Sequence, residues 1–337
     1  MKLLLKVFIL LSMATGSYAA AQDSTIAEKD IRFHNGSVEL AGTFISPRTG
    51  TRFPAVVFLH GSGPSTRAGA RPYAEEFARM GIASLIFDKR GCGASGGSWV
   101  TSSLEDLSRD ALAAVSYLKT MSNVDPSRIG LWGVSQAGWI ETLAASQSHD
   151  IGFMIVISGG GASPRESEFF SYKQEFEKAG LSDSEEAQAF DLVNAYFKYL
   201  ATGKDRSRVI GLLEGTAGRL SPLAKQLTRI LPSEENRTNW SWVATWNPEP
   251  CMEKITCPIL LMLGDKDTEH PTQLAVQKWK AGLKKAGNKS VTVVVFPGAG
   301  HGIRMREGFS GKGRPPFADG YSEVMLGWLW QHVVMGE

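Results

Sequence analysis

Ile129-Gly130-Leu131-Trp132-Gly133-Val134-Ser135-Gln136-Ala137-Gly138 is the stretch on which the reading of this chain turns. A short apolar run leads straight into Gly-x-Ser-x-Ala-Gly, and a helical pattern follows. That is the strand–turn–helix setting of a nucleophile elbow. Such a turn holds serine in a strained backbone conformation and lifts its hydroxyl clear of the strand. The residues two before and two after the serine crowd each other and must be small. Gly133 meets this fully, and Ala137 departs from glycine while staying small. Ser135 is therefore the candidate nucleophile. The competing reading is an ordinary serine in a strand–helix loop, so the rest of the chain has to decide.

Outward from this stretch, other apolar runs recur: Val38 to Ser46, Phe53 to Leu59, Ile82 to Phe87, Ile151 to Ile157, Ile259 to Leu263 and Val291 to Phe296. Most are continuous rather than alternating, which suits strands covered on both faces, as in a parallel sheet. Helical patterns lie between them. Leu104, Leu107, Ala111, Leu112, Val115 and Leu118 share one helix face, with Ser103 as N-cap and Asp106 three residues on. Pro271 suits the first turn of a helix carrying Leu274, Val276, Trp279 and Leu283. Strand and helix in alternation predict a mostly parallel, doubly wound α/β sheet.

One interval breaks the alternation. From about Gly161 to Ile255 there is no buried-strand run, far too long for an ordinary strand–helix connection. Phe190, Val193, Phe197 and Leu200 share a helix face there, and Ser182 with Glu185 makes a capping box. The sheet pattern then resumes. The expected organisation is a signal peptide over 1–21, the N-terminal part of the core over 22–160, a helical cap insertion over 161–255, and the C-terminal part of the core over 256–337.

A serine hydroxyl needs a base to activate it and a third group to hold that base. His301 lies in Phe296-Pro297-Gly298-Ala299-Gly300-His301-Gly302, just after the last expected strand. Gly264-Asp265-Lys266-Asp267 follows the strand before it. The chain order is then Ser, Asp, His. Asp267 is the favoured acid because it stands further into the loop, and Asp265 is the alternative. The oxyanion formed in acyl transfer needs backbone N–H donors. Gln136, next after the serine, supplies one. The His60-Gly61-Ser62-Gly63-Pro64 loop supplies the other, from Ser62 or alternatively Gly63. His60 is read as ordering that loop.

Several features carry less. Gly91-Cys92-Gly93-Ala94-Ser95-Gly96 fits a dinucleotide-binding pattern, but a helix should open inside such a motif, and an acid should end the following strand. Here the helix starts only near Ser103, so the glycines are read as permitting a tight loop. His34, His149, His270 and His332 show no partner pattern and default to surface or helix-end positions. Trp240, Trp242 and Trp246 either line an acyl pocket or pack the cap on the sheet. Of the three cysteines, Cys251 and Cys257 are close enough to bridge, although all three, Cys92 included, could equally be small buried apolar residues. No Cys/His spacing reads as a zinc site, and neither a metal nor a cofactor is expected.

Composition narrows the classes further. The 36 Lys and Arg nearly balance the 34 Asp and Glu, which gives no reason to expect a nucleic acid partner. After residue 25 no stretch is apolar for the roughly 20 residues that a membrane span needs. Lys2, a run from Leu3 to Met13 that is apolar apart from Lys6, and small residues ending in Ala19-Ala20-Ala21 have the order of a secretory signal peptide. The mature chain should begin near Ala20 or Gln22 and work in the periplasm or outside the cell.

Taken together, FPAVVFLHGSGP, LIFDKRGCGASGG, RIGLWGVSQAGW, WNPEPCMEKITCPILLMLGDKDTEHP and FPGAGHG resemble a bacterial family of α/β-hydrolases. These are single-domain esterases related to serine aminopeptidases and prolyl-oligopeptidase-type hydrolases, and the likeness covers most of the chain from Val38 onward. It implies the α/β-hydrolase fold and hydrolysis of a small carboxylic ester by Ser135, His301 and Asp267. A peptidase acting on small peptides is the alternative within the class, and a non-catalytic binding protein is the alternative outside it.

Overall fold

A computed structural model describes residues 24–336 of the 337-residue chain. The expected signal peptide, residues 1–21, lies outside the described residues. Eight strands form one sheet: β1 Ile26–Asn35, β2 Val38–Pro47, β3 Phe53–Phe58, β4 Ala83–Phe87, β5 Val124–Val134, β6 Phe153–Ile157, β7 Ile259–Gly264 and β8 Val291–Phe296. Their spatial order is β1-β2-β4-β3-β5-β6-β7-β8. The pairings from β4 to β8 are parallel, while β1 with β2 and β2 with β4 are antiparallel.

The central strands are apolar throughout because both faces are covered. In β3, Ala55 and Val57 point into one core and Val56 and Phe58 into the other, the period of two that a strand imposes. Helices α1 (Arg71–Arg79), α2 (Leu104–Lys119) and α3 (Gln136–Gln147) connect β3 to β6. Leu104, Leu107, Ala111 and Leu118 of α2 join the first core, with Trp139 and Ile140 of α3; Ala74 and Phe77 of α1 join the second. The α2 cap is a reciprocal capping box: the Ser103 hydroxyl accepts from the Asp106 N–H, and the Asp106 carboxylate accepts from the Ser103 N–H.

Between β6 and β7 the chain leaves the sheet. It forms α4 (Pro164–Ala179), α5 (Asp183–Thr202), α6 (Arg206–Gly215), α7 (Ser221–Ile230) and three one-turn helices, α8 (Arg237–Trp240), α9 (Trp242–Thr245) and α10 (Glu249–Met252). These build a third apolar cluster in which Val193, Phe197 and Leu200 of α5 are buried and Phe190 packs at its edge. α5 opens with the Ser182–Glu185 capping box. α11 (Thr272–Lys285) then returns to the first core through Trp279 and Leu283, and α12 (Tyr321–Leu329) covers the second through Tyr321, Met325 and Leu329.

The strand the sequence reading does not contain is β1. Only Ile26, Ile31 and Phe33 of its ten residues are buried. It is an edge strand carrying charge on its open face, so it lacks the continuous apolar run of its neighbours. Among the described residues no helix is long and apolar enough to cross a membrane.

Candidate active site

The sharp turn between β5 and α3 is made at one residue. Ser135 adopts φ 62° and ψ −122°, a region sparsely occupied by side-chain-bearing residues, at a cost of roughly 1–3 kcal/mol. Its own N–H donates to the Ile157 carbonyl of β6 at 2.9 Å, and its carbonyl accepts from Gly138 N–H at 2.9 Å. These bonds, with the packed core beneath, hold the strained turn. The crowding inferred from sequence is explicit here. A Cβ on Gly133 would lie 2.2 Å from the Ala137 Cβ and 2.5 Å from Glu141 Oε1. One of the two flanking positions can carry a methyl only because the other carries nothing.

His301 follows β8 by a tight loop. Its Nδ1 stands 2.9 Å from Asp267 Oδ2 and 3.2 Å from Oδ1. The Asp267 carboxylate is buried, and its Oδ1 also accepts the N–H groups of Glu269 at 2.8 Å and His270 at 2.9 Å. Burial works against ionising Asp267, but His301 and these N–H donors outweigh it and hold its pKa below the ordinary value. Burial likewise opposes charging His301, and Asp267, by hydrogen bond and charge, outweighs it, so the imidazole pKa is raised. Asp265 is exposed and accepts the Gly298 N–H at 2.7 Å, bracing the turn before His301 without reaching the ring. Asp267 is thus the carboxylate in contact with His301. His301 Nε2 faces Glu269 at 3.7 Å.

The His301 loop is tied to the elbow region. Gly302 N–H donates to Ser158 Oγ at the end of β6, at 3.0 Å, and Gly302 lies beside Val134, the residue before Ser135. The structure records no hydrogen bond between Ser135 and His301; catalytic contacts of this kind are often long before substrate is bound.

Lys89 is a residue that the sequence reading passes over. Buried after β4, its ammonium donates to Gly61 O at 2.8 Å, Gly63 O at 3.1 Å and Gln136 Oε1 at 3.0 Å. It uses all three donors to join the loop carrying Ser62 to the residue after Ser135. Burial lowers its pKa to about 8. The available signal was its place in Asp88-Lys89-Arg90-Gly91, at the end of a buried strand, where a buried ammonium needs oxygen acceptors. His60 is buried beside it and holds Ser65 Oγ at 3.2 Å through Nδ1. Burial, helped by Lys89, lowers the His60 pKa to about 4, so the ring stays neutral. Gly91 to Gly96 wrap around Asp88, whose oxygens accept the N–H groups of Arg67 and Ala94 at 2.9 Å; a Cβ on Gly93 would sit 2.4 Å from that carboxylate.

One other sequence reading changes, and the alternative left open for the cysteines is decided. His270 is neither on the surface nor free of partners. It is buried under the cap, its Nδ1 3.1 Å from Ser167 Oγ, and burial lowers its pKa to about 4. It was missed because its partner arrives from α4, 103 residues earlier in sequence. Cys251 and Cys257 are free thiols, as is the buried Cys92.

A cavity of about 880 Å³ lies under the cap. Ser62, Gly63 and Gln136 form its floor, and Trp240 and Trp242 line it, while Trp246 packs on the main core. Glu168 faces into it; burial, then the charges of Glu175 and Glu269, raise its pKa to about 7. A second cleft of about 670 Å³ opens on the other side of the elbow, lined by Gly61, Val134 and His301.

Among known proteins, the quorum-quenching protein AidA of Acinetobacter baumannii is 32% identical over 117 residues, 33% of this chain and 37% of that protein. The match therefore spans little more than a third of that relative. The Pyrococcus furiosus esterase Pf2001 superposes with a TM-score of 0.59 at 20% identity, covering 91% of this chain and 92% of the esterase. An acetyl xylan esterase from Paenibacillus sp. R4 gives 0.57 at 15% identity, covering 93% and 86%. At such identities the likeness is one of fold. Residues 56–307, which contain Ser135, Asp267 and His301, match the profile of the Alpha/beta hydrolase family, and the chain belongs to that family.

Proposed function

We propose that this chain is an exported serine hydrolase that cleaves small carboxylic esters through Ser135, His301 and Asp267. The observation that carries the reading is the Asp267–His301 hydrogen bond at 2.9 Å, in a loop tied to the C-terminal end of β6, beside the strained Ser135 turn. Asp267 fixes the proton on Nδ1 and leaves Nε2 free to accept. Nε2 takes the Ser135 hydroxyl proton as Oγ bonds to the ester carbonyl carbon. The carbonyl π electrons move to oxygen, where the N–H groups of Gln136 and Ser62 stabilise the negative charge. The carbonyl then re-forms, the bond to the alcohol oxygen breaks, and that oxygen takes the proton from His301. Water repeats the sequence on the acyl-enzyme, and the acid leaves. The aromatic cavity under the cap suits the acyl group. That some structural neighbours are esterases supports the choice of ester over peptide.

A fluorophosphonate probe tests the assignment. Applied to fractions of the producing cell, it should label a protein outside the cytoplasm that begins near Ala20 or Gln22, and Ser135→Ala should abolish labelling. Labelling that persists in the alanine variant overturns the nucleophile; a labelled cytoplasmic protein retaining Met1 overturns the export. Turnover of p-nitrophenyl esters set against aminoacyl-anilides then separates esterase from peptidase.

A further inference from the structure

Resting on that reading, the geometry points to the cleft beside His301 as a subsite for an anionic group on the leaving alcohol, so that the substrates are esters joining an apolar acyl group to an alcohol carrying a carboxylate or phosphate.

The two cavities approach each other at the elbow. Val134 lines the cleft and Gln136 lines the cap cavity; likewise Gly61 lines the cleft, and Ser62 and Gly63 line the cavity. Ser135 sits at the divide. The two sides differ in chemistry. The N–H groups assigned to the oxyanion belong to the cap side. His301, which returns its proton to the departing alcohol, lines the cleft. A group leaving with that proton therefore leaves into the cleft, and the acyl group remains under the cap.

The cleft is basic. Arg304, Arg306 and Arg314 line it together with Tyr73, Phe317 and Tyr321. Arg306 meets Glu269 at 3.3 Å and is largely balanced by it. Among the described residues, neither Arg304 nor Arg314 has a carboxylate at ion-pair distance. Arg304 instead lies over the Phe317 ring, 3.3 Å from its centroid, and donates to Pro315 O at 2.8 Å. Its backbone pairs with Gly300 on one side and Phe317 on the other, so the guanidinium is held by the fold. Burial, and then Arg314 close by, lower its pKa, offset in part by the hydroxyls of Tyr73 and Tyr321. Two guanidiniums that repel each other without an acid between them favour an anion there.

Labelling of Ser135 by a fluorophosphonate tests this in the full-length protein, with alcohols added as protecting agents. 4-Hydroxybenzoate and 4-hydroxyphenyl phosphate carry the anion, and neutral 4-hydroxybenzamide has nearly the same shape. The anionic alcohols should protect at about tenfold lower concentration than the amide, the scale of one charge-assisted hydrogen bond, and whichever protects better identifies the anion. Arg304→Gln and Arg314→Gln should each remove most of that margin. Arg314 is exposed, so its replacement reads out even if Arg304→Gln folds poorly. Equal protection by amide and anions, or a margin that survives the Arg314 change and any foldable Arg304 change, overturns the subsite. Absence of Ser135 labelling without any added alcohol is a different result and overturns the hydrolase reading itself.

Discussion

Glu141 stands on α3, six residues past the serine, with no exposed surface and no protein hydrogen-bond partner on either carboxylate oxygen. Burial alone raises its pKa well above the ordinary carboxyl value, so the fold favours its protonated form. The sign of the consequence follows from proton counting. Between the unfolded pKa, about 4.3, and the folded one, the native state binds one more proton than the unfolded chain. The contribution of this group to stability is therefore fully present below pH 4 and is lost as pH rises. The rate of loss is about 1.4 kcal/mol per pH unit while the folded group stays protonated. Glu141→Gln keeps the shape and removes the titration. The variant still buries an unpartnered amide, but that cost does not change with pH. The difference in unfolding free energy, variant minus wild type, should accordingly grow as pH rises from 5 to 7, by at most about 1.4 kcal/mol per pH unit. Urea unfolding of both proteins at pH 5, 6 and 7 measures it, and taking the difference cancels every other titrating group. Parallel curves would refute the argument, because they would mean that Glu141 ionises as readily in the fold as out of it.

The remaining expectations concern the site. Asp267→Asn should lower turnover of a short-chain p-nitrophenyl ester roughly 10⁴-fold, through loss of the tautomer and of imidazolium stabilisation. Asp265→Asn, which removes only the brace on Gly298, should cost less than about tenfold; the reverse ranking would make Asp265 the acid. Lys89→Met breaks three hydrogen bonds that join the Gly61–Gly63 loop to Gln136, the segments proposed to hold the oxyanion, and should lower kcat about 10²-fold with little change in KM, the pattern of a transition-state contact. Because the Lys89 pKa is about 8, the wild-type kcat should also fall as pH rises through that value, when the ammonium loses one of its three donors. A rise in KM alone, or an alkaline limb unchanged in Lys89→Met, would contradict this.

What could be read from the sequence followed from local rules. Phe53 to Phe58 and Ile259 to Gly264 announce themselves because a strand covered on both faces has no polar position to spare. Ser103 and Asp106, or Ser182 and Glu185, mark helix starts because their hydrogen bonds close within four residues. Gly133 and Ser135 could be read because the elbow is a contact between residues two and four apart. β1 escaped because its stability comes from pairing with β2 along its whole length rather than from its own burial. Lys89, His270 and Arg304 escaped for a related reason. Each is defined by partners from distant segments: Lys89 by Gly61 and Gln136, His270 by Ser167, Arg304 by Phe317. Distinguishing Asp267 from Asp265 lay at the limit, since two residues of loop decide which carboxylate turns inward to His301 and which turns outward to Gly298.

The same topology sets two spaces beside the elbow. A turn completed in a single residue leaves the positions before and after Ser135 facing opposite ways, Val134 into the basic cleft and Gln136 into the cap cavity. The walls of those two spaces come from different insertions: the cap cavity largely from the helices between β6 and β7, the cleft largely from the segment between β8 and α12. Neither insertion supplies Ser135, Asp267 or the N–H of Gln136, which stand at the ends of buried strands or next to them, while His301 comes from the segment between β8 and α12. On the proposed reading, a change in the cap alters which acyl group fits while the strained turn and the Asp267–His301 pair are left as they are, whereas Arg304, whose backbone pairs with Gly300, shares its segment with His301. On that reading different segments recognise the two halves of the ester, and substitutions in the cap and at the exposed Arg314 should combine additively in their effects on substrate choice, as expected for sites without shared partners.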